Sequence, residues 1–161
     1  MVLRAFAATG RPPTTGELRQ AAAPYGADPS EVLAALDAED FLRLDADGHV
    51  RAAYPFSAVA TAHRVRIAGG PEVFAMCAID ALGIARMLGT AVTISSADPA
   101  TGQAITITLG GGDGMSAAVW DPKSAVVFSG QACGPRTGPA MESAAEVCCG
   151  YVNFFATAAS A

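Results

Sequence analysis

Hydrophobic and polar positions change their spacing along this chain, and each spacing predicts a different element. Near the N-terminus the spacing is helical. Thr14 or Thr15 can cap a helix from Glu17 to Ala23, which Pro24-Tyr25-Gly26 ends. A second helix begins at Asp28 with Pro29 in its first turn and places Val32, Leu33 and Leu36 on one face. Phe41-Leu42-Arg43-Leu44, the turn Asp45-Ala46-Asp47-Gly48 and His49-Val50-Arg51 then read as a hairpin. Two helices followed by a wing make residues 1–56 a winged-helix-like module.

Residues 57–161 read as a second, α+β domain, a small, mostly antiparallel β-sheet around a buried central helix. Val59 to Ile67 is extended, and Gly69-Gly70-Pro71 turns into a helix expected from Pro71 to Leu88, stopped by Gly89. Between Glu72 and Arg86 its only charge is Asp80, and a helix apolar on nearly every side belongs inside a core. Val92-Thr93-Ile94-Ser95 and Ile105-Thr106-Ile107-Thr108 alternate with period two around the turn Asp98-Pro99-Ala100-Thr101-Gly102, which predicts a hairpin. Ala117 to Trp120 and Ala125 to Phe128 read as further short strands. Gly110 to Gly114 and Gly134 to Gly138 read as loops, and Met141 to Val147 as a short helix leading into Cys148-Cys149.

Composition narrows the function classes. The chain carries a net charge of −5, and its ten Lys and Arg are scattered without a basic stripe for phosphates. In residues 1–56 five Arg face eight Asp or Glu. The second helix region holds Glu31, Asp37, Glu39 and Asp40 without a single cation, so it repels nucleic acid. The glycine-rich loop at 110–114 lacks the Gly-Lys-Ser/Thr ending of a phosphate loop. A membrane span needs about 20 apolar residues, and the longest run here is broken by Asp80 and Arg86. Residues 1–10 lack the apolar core of a secretory signal, so the expected location is cytoplasmic. Adjacent Cys148 and Cys149 then point to reduced thiols rather than disulfides.

Two residues stand out within the long apolar stretch. At a helical spacing of three, Cys77 and Asp80 share one face with their Cβ atoms about 5–6 Å apart. A buried aspartate either finds donors or holds a proton at neutral pH, and a raised carboxyl serves as a general acid. The plain alternative is a thiol that fills the core and an aspartate that bonds a neighbouring loop. Cys148 and Cys149 supply further soft ligands, which suit Hg, Cu(I) or Zn. Neither the Cys-x-x-Cys spacing of zinc or redox sites nor a ligand-like cluster around His49 or His63 is present, and Cys133 has no assignable role.

The run Phe74-Ala75-Met76-Cys77-Ala78-Ile79-Asp80-Ala81-Leu82, with Gly89 and Val92-Thr93-Ile94-Ser95-Ser96 after it, resembles the catalytic helix and following strand of the alkylmercury (organomercurial) lyases. Cys149-Gly150-Tyr151-Val152-Asn153-Phe154-Phe155-Ala156 is similar to that family's second cysteine motif. The resemblance implies protonolysis of a carbon–mercury bond to hydrocarbon and Hg(II). Cys77 and Cys149 would bind the metal as thiolates, with Asp80 as proton shuttle and third ligand and Cys148 as an additional candidate ligand. It implies no cofactor, an organometal substrate, small cytosolic thiols as co-reactants and a mercuric reductase as candidate acceptor. A diverged enzyme acting on another small molecule and a non-catalytic soft-metal binder are the alternatives. Met76 stands where the family often has an aromatic, Ala97-Asp98 replaces a segment that holds a cysteine in some members, and the segment from Asp121 to Glu146 is longer than its counterpart.

Overall fold

Local capping sets the N-terminal third. The computed structural model describes residues 1–111, 118–130 and 143–161. It opens with helices α1 (Val2–Thr9), α2 (Thr15–Ala22) and α3 (Pro29–Ala38). Thr14 and Glu17 satisfy each other's backbone N–H groups in a capping box at the start of α2. Asp28 caps α3 ahead of Pro29. Helix α1 has no counterpart among the expected elements, and its N-cap, Met1, makes no side-chain bond. Phe6 anchors it instead, fully buried and stacked on Phe56 with ring centroids 5.3 Å apart.

An eight-stranded sheet carries the rest of the core. Its strands are β1 (Leu42–Leu44), β2 (Val50–Ala53), β3 (Phe56–Ser57), β4 (Arg64–Ile67), β5 (Glu72–Ala75), β6 (Val92–Ala97), β7 (Ala104–Leu109) and β8 (Val119–Asp121). They lie in the order β1-β2-β3-β5-β4-β6-β7-β8, and the pairings are antiparallel throughout. The sheet is continuous from the N-terminal hairpin through β3, which spans residues 56 and 57, to the β6–β7 hairpin. Strands β9 (Val126–Ser129) and β10 (Val152–Phe155) form a second, two-stranded sheet. The expected hairpins at 41–51 and 92–108 are present. Gly112 to Gly114, Ala117, Cys133, the loop from Gly134 to Gly138, and Met141 and Glu142 of the short helix lie outside the described residues; Ser143 caps α5 (Ala144–Val147), which is the described part of that helix.

The segment expected as one helix from Pro71 to Leu88 is two elements. Glu72–Ala75 is strand β5, and helix α4 begins only at Ala78 and runs to Leu88. Val73 and Ala75 point into the core with period two. Phe74, on the other face, lies beneath the Arg64 guanidinium 5.6 Å from its ring, so an apolar residue on the outward side hides the strand's alternation. Nor is α4 buried on every side. Ala78, Ala81, Ile84 and Ala85 face inward against β4, β5, β6 and β10, while Ile79 is 60% exposed and Met87 44%.

Asp98 fastens the β6–β7 turn to the C-terminal segment. Its carboxylate is buried and accepts hydrogen bonds from the Ala100 and Thr101 N–H groups at 2.8 and 3.1 Å. From the far end of the chain it accepts from the Ala156 N–H at 2.8 Å and the Ser160 hydroxyl at 2.6 Å. Desolvation opposes its charge, but the Ser160 hydroxyl and these backbone donors outweigh it and hold the carboxyl at about 2. Because the folded value lies below that of an unfolded aspartate, about 4, the stabilisation is complete above the unfolded value and is lost as pH falls through the folded one. Asp98→Asn is therefore expected to lower the unfolding temperature at neutral pH by several degrees and to flatten its fall across that acidic window. Thermal unfolding against pH checks this, and an unchanged slope would exclude the role.

Candidate functional site

The chain leaves β5 in extended geometry and turns into α4 at Cys77, the helix N-cap, with φ −151° and ψ 178°. The spacing of Cys77 and Asp80 reflects this junction rather than a helix interior. The Asp80 N–H donates to the Cys77 sulfur at 3.4 Å, and the Cys77 thiol donates to Asp80 Oδ2 at 3.1 Å. Cys77 thus caps the helix through its sulfur as a serine or threonine does through its hydroxyl, a position that the helix-interior reading missed. A thiolate at this cap also faces the positive end of an eleven-residue helix.

Cys149 arrives from the other end of the chain. It opens a 3₁₀ turn, Cys149–Tyr151, between α5 and β10. Its sulfur lies 3.9 Å from Asp80 Oδ2, an approach rather than a strong bond. The Cys77 and Cys149 sulfurs and an Asp80 oxygen all fall within 4.8 Å of one another. Both cysteines are buried and Asp80 is half-buried. Cys148 is half-buried beside Cys149 and stands outside this three-atom group.

The histidines divide. His63 is buried, with Nδ1 at 3.1 Å from the Ser96 hydroxyl and its ring edge-on to Phe154. Burial lowers its pKa, as for a neutral core histidine. His49, expected in no cluster, does lie near Asp45 and Asp47, because the tight β1–β2 turn folds these three exposed side chains together. Asp45 Oδ1 is already engaged there by the Asp47 and His49 N–H groups.

Each member of the buried group ionises differently. A hydrogen bond from Cys149 lowers the Cys77 thiol, against the opposing effects of burial and the Asp80 carboxylate. Cys149 is pushed far up, first by that same bond to Cys77 and then by burial. Burial also raises the Asp80 carboxyl, although both thiols hydrogen-bond to it. Cys77 is consequently the first thiolate. In a protein whose Cys133 and Cys148 are replaced by serine, thiolate absorbance should appear below the ordinary thiol range, and Cys149→Ala should move it upward by removing the donor. A Cys77 titration indifferent to Cys149→Ala would contradict this coupling. A cleft of about 390 Å³, lined by Arg43, Arg51, Met76, Ala145 and Glu146 among others, opens one residue from Cys77.

Comparison with known proteins gives the geometry a context. No curated protein matches the chain in sequence. Among solved structures, it resembles one described as the mercury-bound form of MerB2, with a TM-score of 0.67 and 22% identity over 88% of this chain and 65% of that one. The chain thus spans less than two thirds of that relative's length, and at this identity the likeness is one of fold. The family model MerB, alkylmercury lyase, matches residues 56–161. Since this match takes in most of the sequence, from β3 to the last residue, the chain belongs to the alkylmercury lyase family.

Proposed function

We propose that this protein cleaves the carbon–mercury bond of organomercury compounds by protonolysis, releasing hydrocarbon and Hg(II). Cys77 and Cys149 act as thiolate ligands, and Asp80 as proton carrier and third ligand. The observation that carries the reading is the convergence of two sulfurs and one carboxylate oxygen within 4.8 Å at the N-terminus of α4. A metal–sulfur bond is about 2.3 Å for zinc, so two sulfurs that share one ion stand at most about 4.6 Å apart, and larger mercury spans slightly more. Soft thiolates suit mercury.

The hydrogen bonds support a proton path through Asp80. The Cys77 thiol already points at Asp80 Oδ2. When its sulfur takes the R–Hg unit from a small-thiol adduct, one thiol proton leaves with the displaced small thiolate. As Cys149 joins the metal, the second thiol proton passes to Asp80, whose burial favours holding it. Two thiolates enrich the Hg–C bond in electrons, and the Asp80 proton goes to carbon as that bond breaks. The products are R–H and Hg(II) held by two sulfurs. Placement of acid and metal in one site supplies the proximity.

Small cytosolic thiols then exchange for the protein sulfurs and carry the ion to an acceptor, for which a mercuric reductase is the candidate. Among the described residues no helix is long and apolar enough to cross a membrane, in keeping with the proposed cytoplasmic setting. Residues 1–56 serve as a winged-helix-like module that packs on the catalytic part rather than reading nucleic acid. Storage of soft ions without catalysis is the competing reading; the half-buried Asp80 carboxyl favours catalysis, because besides ligating an ion it can take a thiol proton and hand it on, which storage alone does not need. Incubation of reduced protein with phenylmercury and excess small thiol decides between them. Benzene should accumulate over several turnovers, whereas tight Hg(II) binding without benzene leaves only storage.

A further inference from the structure

Helix α5 is four residues long, too short to hold itself in water, yet it delivers Cys149 to the site. Its own capping box, Ser143 with Glu146, secures one end only locally. The N–H groups of its first two residues are bound by side chains from far upstream. Asp40 Oδ2 accepts from the Ala144 N–H at 2.9 Å, and the Tyr54 hydroxyl oxygen accepts from the Ala145 N–H at 3.1 Å. The Tyr54 hydroxyl in turn donates to Asp40 Oδ1 at 3.0 Å, so the two side chains act as one unit.

Asp40 makes these bonds from a left-handed backbone, φ +58°, the only non-glycine residue with positive φ among the described residues. That conformation costs an L-residue roughly 1–2 kcal/mol, less for aspartate. Glycine would occupy it freely, so the side chain is what the position retains. Beyond the helix, the Cys148 N–H donates to the Ala144 carbonyl at 3.0 Å and the Tyr151 N–H to the Cys148 carbonyl at 3.0 Å. One unbroken set of bonds thus connects Asp40 and Tyr54 to the turn that bears Cys149.

We infer that Asp40 and Tyr54 are positioning residues for the second thiol: they latch the start of α5 so that the Cys149 sulfur stands within reach of the metal that Cys77 captures. The inference rests on the proposed pairing of Cys77 and Cys149 around one ion. Both residues lie outside the family match at 56–161. With the latch released, α5 loses its upstream anchor, while β10 still holds the downstream side of the turn that bears Cys149.

Asp40→Gly and Tyr54→Phe test the latch, one freeing the strained backbone and the other changing a single hydroxyl. With Hg(II) as the probe, in competition with a small thiol, each variant should bind about 10–100-fold more weakly while its unfolding temperature stays near the parent's. Mass-resolved alkylation should show Cys149 becoming more reactive relative to Cys77. In a Cys149→Ser background, Asp40→Gly should weaken Hg(II) binding no further. Parental affinity and parental Cys149 reactivity in both variants, or an equal added loss in the Cys149→Ser background, would overturn the inference. Because these readouts need no hydrocarbon release, they judge the latch separately from the lyase reaction.

Discussion

Cys149→Ser should lose hydrocarbon release by about 10³-fold or more while melting near the parent temperature. Cys149 is buried beside Cys77 and Asp80, and serine keeps the shape of the side chain, slightly smaller, with a group that can still hydrogen-bond. What serine removes is the second soft donor. An alkoxide neither forms at neutral pH nor holds mercury as a thiolate does, so R–Hg would remain on Cys77 alone, with its carbon too electron-poor to accept a proton. The variant should accordingly trap R–Hg in a stable one-to-one adduct that mass spectrometry detects intact. Normal turnover in Cys149→Ser would mean that Cys148, half-buried next to it, can serve instead.

Asp80→Asn separates proton delivery from metal binding. Loss of a positioned general acid typically costs about 10²–10⁴-fold, and the amide keeps the size of the carboxyl while carrying no transferable proton. Hg(II) affinity should change far less than the cleavage rate, because the sulfurs dominate it. The sign of the pH dependence follows from burial, which raises the Asp80 carboxyl. Its protonated form persists to higher pH than in an exposed aspartate and vanishes as pH rises past its folded value. Cleavage of R–Hg already bound should therefore slow toward high pH in the parent, and this limb should be missing from the residual activity of Asp80→Asn. Single-turnover rates of pre-bound phenylmercury across pH provide the check.

Where the sequence was readable, local physics decided the structure. The capping box at Thr14 and Glu17, Pro29 behind Asp28, and the alternation of Val92 to Ser95 with Ile105 to Thr108 each specify an element from neighbouring residues alone. The stretch from Glu72 to Leu88 was different. Phe74 is covered by Arg64 from a neighbouring strand, a non-local contact that makes an outward position apolar and conceals β5. The same misplacement put Cys77 inside a helix, though its cap position is what turns its sulfur toward both the helix end and Asp80. Proximity of Cys77 and Asp80 was legible from spacing. Their approach to Cys149, 69 residues later than Asp80, was implied by family resemblance rather than by any local pattern. The contacts of Asp40 and Tyr54 with α5 span still longer separations and had no signal in the sequence.

A proton carried by the Cys77, Asp80 and Cys149 group is expected to end on the carbon released from mercury. Single turnover of phenylmercury by the reduced protein equilibrated in D₂O, with the gas-phase product analysed by mass spectrometry, measures that transfer directly. One monodeuterated benzene should form for each Hg(II) left on the protein; mercury retained as intact phenylmercury, or benzene released without deuterium, is incompatible with this transfer.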